Sequence, residues 1–231
     1  RAYRSTWAAF MLGKTWLQKD PAQAIPFFEQ TRTLAAEGFH DSLELAAASA
    51  GWAARAEMLS RAYVAAIHRY GELENEACSS LRTVCSQALA EEQIDPALVQ
   101  DDLSRQMVTA WLASRSDESN RQSGRTKTQK WLAALQNAQW EGVVPGADRL
   151  AWLSYQSGDM EAAERWLEHS EPDAVYGQWV QAKLLLREGK IGEGSAILQR
   201  LAETFPVGNM WRIQLRDYDG MLSPYSARNV V

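Results

Sequence analysis

Acidic side chains are the residues of this chain whose spacing comes nearest to chemistry. Glu72, Glu74 and Glu76 alternate along one short stretch, and Glu91, Glu92, Asp95, Asp101 and Asp102 gather further on. Two carboxylates held close together can act as general acid and general base. Helical proteins carry such clusters routinely as solvated faces, and that is the reading adopted for both. His40, His68 and His169 stand far apart, and none has a second His or a Cys at metal-ligand spacing, so surface or capping roles are expected. Cys78 and Cys85 are seven residues apart, which on a helix is roughly 10 Å of rise. That exceeds the reach of a disulfide, so two buried apolar thiols are expected. The chain contains no GxSxG, no HExxH, no GxxxxGK followed by Ser or Thr, and no GxGxxG after a strand. No catalytic residue, cofactor-binding residue or metal ligand is assigned, and the chain is read as a non-enzyme.

The whole-chain numbers fit an ordinary folded protein. Of 231 residues, 46% are hydrophobic and 23% charged, enough apolar material for a substantial core and too much for disorder throughout. A net charge of −5, spread along the chain, argues against nucleic acid or an anionic membrane as the main partner. The one basic run, Arg121, Arg125, Lys127 and Lys130, lies in a Ser/Asn/Gln-rich stretch without aromatic residues and is read as a solvated loop. No segment approaches the ~18 to 20 apolar residues of a membrane span, so a soluble chain is expected. The start, without Met or a leader-like pattern, reads as a processed or excised product.

The elements that must carry these residues are helices. Apolar residues recur at spacings of three and four, without sustained alternation, which predicts an all-α fold. A first pair is expected over 3–18 and 21–35, started by Asp20-Pro21, with Pro26 kinking the second helix. A second pair is expected over 42–56 and 58–70, opened by Asp41 and Glu44 at capping-box spacing. Helices near 75–91, from Asp95-Pro96 through Leu112, and near 128–138 follow. Residues 114–127 have no apolar member and read as a long loop, the one candidate break in a single domain spanning 1–231. The tail after Pro206, with Trp211, Ile213, Leu215 and Tyr218, is expected to fold back as a cap.

Two segments near the end repeat. Gly158 and Gly189, Ala163 and Gly194, and Leu167 and Leu198 are each 31 residues apart, and a fixed period in this range marks stacked helix pairs. Gly13 and Gly51, Ala24 and Ala62, and Phe28 and Ala66 are each 38 apart. Small residues at matched sites let paired helices approach closely.

With Ala151, Gly158-Asp159, Ala163 and Leu167 in one unit and Ala182, Gly189, Gly194, Leu198 and Pro206 in the next, the chain resembles the tetratricopeptide repeat (TPR) family. Leu12-Gly13, Trp16, Ala24 and Phe28, and Gly51 with Ala62, match it more loosely. Sel1-like repeats and the superhelical region of bacterial lytic transglycosylases are similar in look. The resemblance implies a right-handed α-solenoid of antiparallel helical hairpins with a concave ligand-binding face, and it leans toward a bacterial cell-envelope, periplasmic setting. Carried over residue by residue, the groove positions fall on Asp148, Trp152, Tyr155 and Gln156, and on Trp179, Lys183 and Arg187. Trp152 stands where a chaperone-tail carboxylate clamp would have Asn, so that partner is not expected. Two functions follow: a scaffold binding a protein or peptide through the concave face, or an accessory region of a larger enzyme such as a lytic transglycosylase. Self-association through exposed aromatic residues is a third possibility.

Overall fold

The structure is a computed structural model that describes residues 5–73, 78–114 and 121–204. Among these residues every regular element is a helix: α1 (Ser5–Lys19), α2 (Pro21–Ala36), α3 (Leu45–Leu59), α4 (Tyr63–Gly71), α5 (Cys78–Ala88), α6 (Pro96–Gln100), α7 (Asp102–Ala113), α8 (Arg121–Gln136), α9 (Ala147–Ser157), α10 (Met160–Glu168), α11 (Val175–Arg187) and α12 (Ile191–Thr204). The chain divides into two compact units, Arg1–Glu171 and Pro172–Val231. No helix among the described residues is long and apolar enough to cross a membrane.

In the first unit the helices pack mainly on their neighbours in sequence: α1 on α2, α2 on α3, α3 on α4, and α9 on α10. Ala24, Phe28, Ala53 and Ala56 are fully buried, with Phe10, Leu17, Ile25 and Trp52 packed around them. The approach of α1 to α2 depends on Gly13, where a Cβ would stand 2.8 Å from the Phe28 ring. Phe28 is held in turn by the edge of Phe10, 5.7 Å between ring centres. Beyond α4, Trp131 is fully buried and donates its indole N–H to Thr109 Oγ1 at 3.1 Å, joining α8 to α7.

Two arginines tie helices together. Arg69 on α4 donates through Nε to both Glu57 oxygens, at 3.0 and 3.1 Å, and through Nη2 at 2.8 Å, while its Nη1 holds Glu29 of α2. Glu57 is buried, and breaking such a pair would strand a carboxylate without water. Arg105, only 2% exposed, donates to the Val99 carbonyl at 3.1 Å and the Pro145 carbonyl at 3.4 Å. It also holds Asp102 and lies 5.0 Å from the Trp140 ring centre, so α7 grips the turn that leads into α9.

Within the second unit α11 packs on α12. A Cβ at Gly194 would meet Leu186 Cγ at 2.9 Å and the Ala182 carbonyl at 3.0 Å, a second place where a small residue sets the separation of helices. Ala151 and Ala163, on α9 and α10, are fully buried. Gly158 and Gly189 take φ of +89° and +80°, which glycine adopts without steric cost.

Several sequence-based expectations are corrected. The second pair does not begin at 42: α3 starts at Leu45, and Asp41 reaches forward to accept from the Leu45 and Ala46 amides, both at 2.9 Å. Glu44 is the left-handed residue before the helix, φ 53°, and not a capping-box partner inside it. α4 begins at Tyr63, which leaves Ala62 outside the helix. Gly51 marks no close approach, since a Cβ there would meet only Leu73 at 3.8 Å. The helix expected from Pro96 to Leu112 is broken at Asp101, whose backbone is extended and whose carboxylate caps α7 by accepting from the Ser104 amide at 2.8 Å. The polar stretch is not all loop, because α8 begins at Arg121. α2 contains Pro26, as expected, within its span Pro21–Ala36. Glu74, Glu76, Pro206, Trp211, Ile213, Leu215 and Tyr218 lie outside the described residues, as do the side chains of Cys78, Arg121 and Arg125.

Candidate binding surface

Of the acidic side chains that suggested acid–base chemistry, Glu91, Asp95, Asp101 and Asp102 are engaged within the fold. Asp95 caps α6 by accepting from the Ala97 amide at 2.9 Å, and Asp101 caps α7. Burial pushes the Asp101 carboxyl up, but the Ser104 and His68 hydrogen bonds outweigh it and keep it below the usual range. His68 Nε2 sits 2.9 Å from both Asp101 oxygens, a link between α4 and the start of α7. Glu91 accepts from the Tyr63 hydroxyl at 2.6 Å and pairs with Arg61 at 3.4 Å. Burial first, then that hydrogen bond, pushes the Tyr63 hydroxyl up to about 12. His169 Nδ1 donates to the Gly142 carbonyl at 2.8 Å. Cys85 is buried and free, its thiol pushed up to about 12 by burial. Among the described residues no group of His, Cys, Asp and Glu is arranged to hold a metal.

The basic run is also occupied where its side chains are described. Lys127 donates to the Ser86 carbonyl and hydroxyl at 3.1 and 2.8 Å and lies 5.6 Å from the Trp111 ring centre. Lys130 donates to the Glu91 carbonyl. These ammonium groups anchor α8, where the sequence suggested a solvated loop.

The groove candidates fall into two groups, one in each unit. On α9, Asp148 and Trp152 are half-buried beside the packed row Leu150, Ala151 and Ser154. Trp152 stacks on half-buried Tyr155, 5.9 Å between ring centres and 14° between planes, and Gln156 is exposed. On α11, Trp179 is half-buried with the Lys183 ammonium 4.3 Å from its ring centre, and Arg187 is exposed near the helix end. By contrast Trp131 and Trp166 are buried.

A further surface, on α1 and α3, had not been assigned as a site. Trp7 and Met11 on α1 face outward with Leu12 and Trp16, and Leu43 stands exposed before α3. Trp7, Leu43 and Leu45 line a cavity of about 420 Å³ together with Thr6, His40 and Ser42. Seven residues along each helix, the Lys14 ammonium lies 2.9 Å from the centre of the Trp52 ring. The two rows thus advance together, from Trp7 beside Leu45 to Lys14 beside Trp52. Arg55, one turn beyond Trp52, places its guanidinium carbon 5.8 Å from the same ring centre. Burial, and then the Arg55 charge, hold the Lys14 ammonium below the usual lysine range. α1 contains no acidic residue, and the one in α3, Glu57, is committed to Arg69.

One sequence signal could have identified this surface. The apolar residues of α1 occupy every side of the helix, whereas a helix that packs on one side carries a single apolar stripe. The chain matches no protein-family model, no curated protein and no solved structure.

Proposed function

We propose that this chain is a non-enzymatic scaffold, a right-handed α-solenoid of helical hairpins similar to tetratricopeptide repeats, that binds a protein or peptide through exposed helix faces. The observation that carries this reading is the outer side of α1. Trp7, Met11, Leu12 and Trp16 are 47%, 41%, 48% and 36% exposed on one helix, beside Leu43 at 66%. Large apolar side chains scattered singly need no explanation, but several on one helix mark a surface that a partner covers. Each of the four on α1 is already more than half covered, so complete covering would contribute about half of the roughly 1.5 to 3 kcal/mol that burying such a side chain supplies. The Trp179–Lys183 and Trp152–Tyr155 pairs supply further aromatic contacts of the kind enriched at binding hot spots.

Affinity capture with the intact chain tests this, compared with a Trp7→Ser/Met11→Ser chain and a Trp179→Ala/Lys183→Glu chain that keep their circular dichroism. A protein retained by the intact chain and lost from either variant supports the scaffold reading and names its partner. Equal retention by all three chains, or retention of nothing, counts against these faces.

A further inference from the structure

We infer that the α1–α3 face takes an acidic peptide segment, with a carboxylate at Lys14 and Arg55 and an apolar side chain in the cavity beside Trp7. The inference rests on the scaffold reading and adds the chemistry of the partner. Lys14 and Arg55 flank one indole, each pushes against the other, and neither has an acidic partner among the described residues. The chain as a whole is acidic, at −5, so leaving two neighbouring cations unmatched on this face is a local departure from its own balance.

Geometry then defines the ligand. The cavity of Trp7, Leu43 and Leu45 accepts an apolar group, and the Lys14–Trp52 contact lies two helical turns away, roughly 10 Å. An extended peptide advances about 3.3 Å per residue, so the apolar and acidic residues stand about three apart. Asp41, the one acid lining the cavity, is held by the Leu45 and Ala46 amides, and its negative charge disfavours a carboxylate there, which leaves the cavity to the apolar residue of the peptide. Trp52 covers one side of the Lys14 ammonium, so a carboxylate that pairs with it meets less water than on an open surface.

The test is selection of random peptides displayed on phage against the immobilised full chain. Synthetic fluorescein-labelled copies of the enriched peptides are then titrated by fluorescence anisotropy. The expected result is enrichment of Asp and Glu near an apolar residue, affinity that falls with added NaCl, and binding weakened about tenfold or more by Lys14→Glu/Arg55→Glu. Lys14→Met/Arg55→Met, which keeps the chain lengths without the charges, should weaken binding as well. Enriched peptides that are not acidic, or that bind the charge-reversed chain equally well, overturn this inference and leave the scaffold reading standing. No enrichment on a chain with intact circular dichroism overturns both.

Discussion

The Lys14 ammonium rests 2.9 Å from the centre of the Trp52 ring, joining α1 to α3 at the edge of the core against which Trp52 packs. Burial, and then the charge of Arg55 on the same ring, lower its proton affinity. Replacing Arg55 by Gln removes that opposition. The Lys14 titration, followed by NMR of its side-chain carbon, should then move to higher pH. An unmoved titration would separate the two groups.

Gly13 and Gly51 look equivalent in sequence and should respond in opposite directions. An Ala methyl at Gly13 would meet the fully buried Phe28 ring at 2.8 Å, and overpacking of this kind costs about 1 to 3 kcal/mol. At Gly51 the nearest atom is Leu73 Cδ1 at 3.8 Å, so Ala there should stabilise by about 0.5 to 1 kcal/mol through helix propensity. Urea unfolding of the two single variants measures both signs.

Trp131 and Trp179 differ in the same comparative way. Trp131→Ala removes a fully buried indole and strands Thr109, so a loss of about 3 to 5 kcal/mol is expected. Trp179→Ala removes a half-buried indole on α11 and should cost less than half as much. Equal losses would place Trp179 in the core and remove it from the binding surface.

Much of the helical framework was legible because its signals are local. Asp20-Pro21 does start α2, with Asp20 accepting from the Ala22 amide at 3.1 Å, and Gly158-Asp159 does separate α9 from α10. What was not legible depends on partners distant in sequence. Asp101 reads as one member of an acidic cluster until Ser104 and His68 are seen around it. The start of α8 lacks apolar residues, yet Lys127 and Lys130 reach back to Ser86 and Glu91, with long side chains able to cover apolar surface on the way. The exposure of Trp7, Met11, Leu12 and Trp16 was not legible, because composition alone does not tell a buried face from an exposed one.

Alkaline pH should weaken the fold. Cys85 and Tyr63 are both pushed up to about 12, Cys85 by burial and Tyr63 by burial and then by Glu91. Unfolded thiols and phenols ionise at about 8.5 and 10, so their contributions are fully present at neutral pH and are lost as pH rises from about 9 toward 12. The urea midpoint should fall over that window, and Tyr63→Phe should make the fall shallower. For the same reason Cys85, in a Cys78→Ser chain, should react with a disulfide reagent at pH 8 only as fast as the protein unfolds.

The measurement that bears most directly on the scaffold reading is an indole spectrum of the ¹⁵N-Trp-labelled chain, assigned by single Trp→Phe variants and titrated with the captured partner. The account predicts that the resonances of Trp7 and Trp52 move while that of buried Trp131 stays. A partner that binds without moving any exposed indole of α1, α9 or α11 would contradict it.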